Sequence, residues 1–424
     1  MILYIDPGTG SMLFTILLGV LGAAFYFLRN FFMKFKMWIS GGKDAGGDSD
    51  KQDIVIFSDH KRYWNVFEPI CDEFEKRGQK VIFMTASEDD PALSKKYENI
   101  ECMYIGEGNK AFAKLNNLNA KVVLSTTPSL DVFQWKRSRD VEYYIHIPHA
   151  SSDIILYRMF GIDYYDAILL SGKYQIKQIR DIEKLRNLPE KELEIVGIPY
   201  MDEMKKRLDK ELAAKKESGS SEKKKPTVLL APSWGKSGIL SKYGAKFIEL
   251  LIDTGYNIIV RPHPQSYTSE KDMMDELMSK FPENDNFKWD RESDNFNSLM
   301  NSDILISDFS GVIFDYTLVF NKPVIYTDTE FDKSPYDACW VDDELWTFKI
   351  LPEIGQVLNE DNFEDIKTII DNTISSEKFS KGREQARNET WCHMGEGTVR
   401  TVDYVMKKLE TLNEKVEDAE LQLN

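Results

Sequence analysis

Apolar runs of strand length recur along this chain at intervals that leave room for a helix between each pair, and no other feature constrains its fold as much. They cover residues 54–57, 81–85, 122–125, 143–147, 168–170 and 193–196, then 228–230, 258–260, 304–306 and 324–326. Several are continuous rather than alternating, which means burial on both faces. Between them the spacing is helical, as in Val66, Phe67, Ile70 and Phe74. Such alternation predicts parallel sheets covered by helices on both sides.

The series breaks once, at RLDKELAAKKESGSSEKKKP, a polar, lysine-rich stretch with Gly and Ser that reads as a solvated connection. A chain of 424 residues exceeds what one core usually serves. The expectation is two Rossmann-like doubly wound domains, 53–207 and 227–387, facing a cleft and joined by a linker at 208–226. A terminal helix over 388–412 and a frayed acidic tail over 413–424 complete the body.

Ahead of it, after a short segment 1–11, residues 12–28 (MLFTILLGVLGAAFYFL) carry no charge and approach the length needed to span a bilayer. A membrane or membrane-interface helix is expected over 12–33, then a flexible Gly/Asp-rich tether over 34–52. Arg29, Lys34, Lys36 and Lys43 follow the apolar run and only Asp6 precedes it, placing the domains in the cytoplasm under the positive-inside rule. With no basic residue before the run, a cleaved signal is not expected. The net charge of −16 disfavours nucleic acid as a partner. The four cysteines, widely spaced and without a C-x-x-C pair, read as reduced structural thiols.

Ligands of open parallel sheets bind beyond the carboxyl ends of the strands. Three clusters stand there: I-P-H-A-S-S-D at the end of 143–147, R-P-H-P after 258–260, and S-D-F-S-G-V-I-F-D-Y after 304–306. His149, flanked by Pro148 and small residues, reads as a general base at a cleft edge or as a histidine that merely holds its loop. His146, three residues earlier, would face the other way and is read as structural. Arg261 and His263 form a stiff dibasic loop suited to a diphosphate, or a salt-bridged turn. Ser307, Ser310 and Gly311 precede a helical pattern whose free N–H groups suit phosphate, Ser310 and Gly311 being preferred over Asp308. A helix cap for the serines, and a first-turn role for Asp315, are the plainer alternatives.

Tyr63, Trp64 and Trp135 are expected to pack the core rather than stack a base. Gly106 and Gly108 form only a weak glycine pattern. Glu88-Asp89-Asp90 and Asp342-Asp343 read as solvated acids, and Asp48 and Asp50 lie in the tether; no obligatory metal and no cofactor is expected.

Taken in order, I-P-H-A-S-S, D-A-I-L-L-S-G-K-Y-Q, V-G-I-P-Y-M-D, L-L-A-P-S-W, R-P-H-P and S-D-F-S-G-V-I-F-D-Y with N-K-P-V-I-Y resemble the CDP-glycerol glycerophosphotransferases over roughly residues 53–409. That family includes teichoic-acid primases and polymerases of GT-B fold. The resemblance implies transfer of glycerol phosphate from CDP-glycerol to an alcohol, such as a lipid-linked glycan or polymer, with release of CMP. It implies that His149 deprotonates the hydroxyl and that His263, aided by Arg261, binds the diphosphate. Ser310 and Gly311 would hold phosphate oxygens, with Ser233 lining the same pocket. The chain departs from the family pattern at Ala150, where glycine is usual, at Arg158, the sole counterpart of a lysine, and in A-P-S-W-G, which lacks an arginine. A GT-B glycosyltransferase, with Asp315 presented to a ribose or sugar, and a non-catalytic membrane-tethered binding protein are the competing expectations.

Overall fold

The computed structural model describes residues 51–217, 225–292, 294–328 and 331–423. The expected membrane helix and tether lie outside these residues. Among the described residues no helix is long and apolar enough to cross a membrane.

Two parallel sheets form the body. The first comprises β1 (Gln52–Ser58), β2 (Val81–Thr85), β3 (Ile100–Tyr104), β4 (Ala120–Ser125), β5 (Val141–His146), β6 (Ala167–Leu170) and β7 (Glu192–Ile195), in the order β3-β2-β1-β4-β5-β6-β7. The second has β8 (Thr227–Leu230), β9 (Asn257–Val260), β10 (Phe287–Trp289), β11 (Ile304–Ser307), β12 (Val324–Thr327) and β13 (Gly355–Leu358), ordered β10-β9-β8-β11-β12-β13. Each order reverses beside its first strand, between β1 and β4 and between β8 and β11, and a crevice opens at that switch. The central strands are those that the apolar runs mark: Ile54, Val55, Ile56 and Phe57 are all buried.

The strands that the runs did not mark, β3, β10 and β13, are edge strands. With one neighbour and a wetter face, IECMY, FKW and GQVL carry polar residues that hide the strand signal.

Two domain limits differ from expectation. A helix, Pro199–Glu217, occupies the first half of the expected linker, because ELAAKKE is made of good helix formers. The terminal segment is two helices, Ser380–Thr390 and Gly397–Leu423, broken by a turn in which His393 and Gly395 take positive φ. The second of these runs through most of the expected frayed tail.

That last helix returns to the N-terminal domain and packs on the helix Trp64–Lys76. Arg77 bonds Asp403 at 2.6 Å, and Lys408 bonds Glu192 at 2.6 Å. One apolar cluster runs through both domains, from Ile54 and Phe67 to Leu305, Phe314 and Val405, and two others lie beside it. Gly172 lets the loop after β6 touch the returning chain, since a Cβ there would stand 2.1 Å from the Glu389 carbonyl oxygen.

Asp202 fastens the crossover. Its buried carboxylate accepts from Trp391 Nε1 at 2.8 Å, Gly395 N at 2.7 Å and Gly397 N at 2.9 Å. Asp202→Ala strands these donors and is expected to cost about 2–4 kcal/mol in urea unfolding. A midpoint equal to that of the parent protein would show that the turn holds without it.

Candidate active site

β5 ends at His146 and the chain leaves the sheet through Ile147 and Pro148, carrying His149 to the carboxyl edge. Thr126, just past the end of β4, places its Oγ1 3.2 Å from His149 Nδ1, and the Tyr157 hydroxyl stands 3.4 Å from the same nitrogen. With Nδ1 turned to these hydroxyls, Nε2 is the nitrogen left to take a proton. The ring rests against Tyr63, centroids 4.7 Å apart. A cavity of about 190 Å³ adjoins it, lined by Tyr63, Pro148, His149, Ala150, Ser152 and Tyr157 among others.

Burial, reinforced by the Arg62 guanidinium, pushes the His149 imidazole down to about 4. It is therefore neutral at physiological pH, as a proton acceptor must be. His146 is fully buried with Nε2 3.1 Å from the Tyr157 hydroxyl, and burial drives it to about 3. It braces Tyr157, which in turn holds His149.

In the C-terminal domain His263 follows β9. Its Nδ1 accepts from the Gln265 backbone N–H at 3.1 Å, which leaves Nε2 for chemistry. Burial first, then the charge of Arg62, lowers it to about 4, opposed by Glu270. Trp234 stands nearby and exposed, its ring centroid 6.5 Å from that of His263.

The His149 loop meets the S-D-F-S-G loop of the other domain across the cleft. Gly311 lies so near the His149 loop that a Cβ on it would be 4.0 Å from Ala150 Cβ. Asp153, in the same loop, accepts from the backbone N–H groups of Trp346 and Thr347 at 2.8 and 2.7 Å. It thus caps the helix Trp346–Ile354 of the opposite domain, whose own N-cap, Leu345, supplies no side-chain bond.

Several candidates have other roles. Arg261 pairs with Asp290 and bonds the Glu292 carbonyl at 2.8 Å, so its guanidinium braces the strand end. Ser307 is buried and donates to the Ala231 carbonyl at 2.6 Å. Asp308, also buried, gathers the backbone N–H groups of Ser233, Ile239, Phe309 and Ser310, tying the A-P-S-W and S-D-F-S-G loops together. Ser233 is held there through its backbone.

Asp315 accepts from the Tyr200 hydroxyl at 2.8 Å and is raised to about 6 by burial, so it joins the domains instead of presenting a carboxylate to a ligand. The expected helix after Gly311 is one α turn, Val312–Phe314, followed by a π segment, Asp315–Val319. Ser310 and Gly311, half-buried and exposed, stay at the cleft. Trp64 and Trp135 are core residues, and Tyr63, partly buried against the core, also supports His149. Asp90, expected among solvated acids, is buried and caps its own turn by accepting from Ala92 N at 3.0 Å.

Sequence reasoning passed over Arg62, Thr126, Tyr157 and Glu270. Arg62 and Thr126 follow β1 and β4 closely, so the strand-exit rule would have found them. Tyr157 lies beyond a loop and a 3-10 turn, and nothing local marks it.

Two Rossmann-like domains, with a histidine at a strand exit of each and small-residue loops meeting between them, define a GT-B-like fold. The family model described as CDP-Glycerol:Poly(glycerophosphate) glycerophosphotransferase matches residues 51–408. The chain belongs to this family and is a glycerophosphotransferase. Its fold is similar to that of the wall teichoic acid polymerase TagF, with 18% identity, a TM-score of 0.55, and 85% of this chain and 90% of that one covered. A histidine-to-asparagine form of TagF soaked with CDPG gives 16% identity and a TM-score of 0.57, with 91% and 98% covered. UDP-N-acetylglucosamine 2-epimerase from Rickettsia bellii shares the fold at 12% identity and a TM-score of 0.54, with 87% and 99% covered. No curated protein sequence is significantly similar to the chain.

Proposed function

We propose that this enzyme transfers glycerol phosphate from CDP-glycerol to a hydroxyl of a membrane-linked glycan or teichoic-acid-type polymer, releasing CMP. The observation that carries the reading is the meeting of the His149 loop with the Ser310–Gly311 loop, where a Cβ on Gly311 would touch Ala150, in a chain of this family. The CDPG-soaked TagF of the same fold supports the donor.

The acceptor oxygen attacks the phosphorus that bears glycerol, and its proton passes to His149 Nε2. The bond from that phosphorus to the bridging oxygen breaks, and the electron pair leaves with CMP. His263 faces the diphosphate and offsets the charge that gathers on the leaving phosphate. Ser310 and Gly311 hold phosphate oxygens. The cavity beside His149 carries no Lys or Arg in its lining and suits an uncharged hydroxyl-bearing end of the acceptor.

An anchor at 12–33 with the domains in the cytoplasm would keep this chemistry beside a lipid-linked acceptor. Sedimentation with membranes, lost on deletion of 1–33, tests that part.

The test of the reaction is nucleotide release by the full chain given CDP-glycerol, CDP-ribitol, UDP-sugars and GDP-sugars in turn, with a lipid-linked acceptor extract. CMP from CDP-glycerol is expected. UDP or GDP release instead would move the enzyme to the glycosyltransferases.

A further inference from the structure

β1 leaves its sheet through Asp59 and His60 into a single 3-10 turn, Lys61–Tyr63. The His60 ring caps this turn by accepting from the Arg62 backbone N–H at 3.1 Å. The charges on either side are committed: Lys61 pairs with Asp89, and Asp59 accepts from Thr127 Oγ1 at 3.0 Å. Arg62 is exposed, and no carboxylate among the described residues pairs with it.

Its guanidinium carbon lies 5.1 Å from the Tyr63 ring centroid, and the Tyr63 ring is the one against His149. The same guanidinium, next after burial, depresses both His149 and His263. One positive charge thus acts on a histidine of each domain, while Arg261 is engaged with Asp290.

We propose that Arg62 is a phosphate ligand of the transfer site, reaching the donor diphosphate from the N-terminal domain beside Tyr63 and His149. This deepens the proposed function and rests on it for the identity of the donor. A guanidinium fork can bind two oxygens at once, which suits the non-bridging oxygens of the transferred phosphoryl group as charge moves to the leaving CMP. In a chain of net charge −16, a local cation is needed to draw a dianionic group into the cleft.

The test uses the full chain, as wild type, Arg62→Gln and Arg62→Lys, titrated with inorganic pyrophosphate while the imidazole resonances of His149 and His263 are followed by NMR. The groups facing His149 are Arg62, Tyr63, Thr126, Tyr157 and His146; those facing His263 are Arg62, Glu270 and Trp234. Loss of the positive charge is expected to move both imidazole titrations to higher pH. It should also weaken pyrophosphate at least about tenfold and slow CMP release from CDP-glycerol by about 10²-fold. Arg62→Lys keeps the titrations near those of wild type and restores part of the affinity, which a merely structural role would not produce.

Pyrophosphate binding equal in wild type and Arg62→Gln, or absent from wild type, overturns the proposal, as do unmoved titrations. If the pyrophosphate result holds and wild type releases no CMP from CDP-glycerol, the Arg62 site stands and the donor assignment falls.

Discussion

His149→Ala is expected to slow CMP release from CDP-glycerol by roughly 10³-fold, within the range for a positioned general base, while donor binding changes little. Its Nδ1 is held by Thr126 and Tyr157, so the ring is already oriented and alanine removes the acceptor nitrogen without disturbing the sheet. The pH dependence gives a second check. An imidazole lowered to about 4 is neutral above that value, so kcat/KM should hold down to about pH 5 and fall on the acid side near 4. A bound anionic donor favours the protonated ring, so the acid limb of kcat should lie higher than that of kcat/KM. Unchanged turnover in His149→Ala would remove the base from the mechanism.

Stability shares the same chemistry. For His146, His149 and His263 the folded pKa lies below the ordinary 6.5, so between 6.5 and about 4, or about 3 for His146, the unfolded chain binds more protons. Their contribution is whole above about 6.5 and is lost as pH falls through that window.

The second large effect is expected at His263. His263→Ala should lower kcat by about 10² to 10³-fold and raise KM for CDP-glycerol, because in the proposed reaction the ring offsets the charge that gathers on the leaving phosphate. In the free enzyme burial keeps the ring neutral at about 4, so it cannot donate a proton until something raises it. The diphosphate is the missing anion: with Glu270 already pulling upward, a dianionic neighbour would raise the pKa further. The measurement is the His263 imidazole titration with and without a non-reactive CDP-glycerol analogue. A titration that stays near 4 in the complex would confine His263 to neutral hydrogen bonding.

The legibility of this protein was uneven, for reasons visible in particular residues. Buried central strands announced themselves because both faces of β1 and β11 must be apolar, and the edge strands β3, β10 and β13 did not because one side is wet. The strand-exit rule found His149, His263, Ser310 and Gly311, which stand at the cleft. It points equally to Arg261 and Ser307, which turn away, and Asp315 suggests a carboxylate for a ribose or sugar. Arg261 chose Asp290 on the neighbouring strand exit, Ser307 the Ala231 carbonyl, and Asp315 a tyrosine of the other domain.

What the sequence by itself determined is therefore the frame: two parallel sheets, their burial, and the loops at which chemistry can occur. Those follow from local periodicity, since side chains two or four positions apart share a face. Only the tertiary structure decided which polar groups at those loops remain for a substrate. That choice depends on partners far away in the chain, such as Asp153 for the amides of Trp346 and Thr347, or Asp202 for Trp391. A buried polar group takes whichever partner folding brings within hydrogen-bond reach, and no spacing in the sequence records that distance.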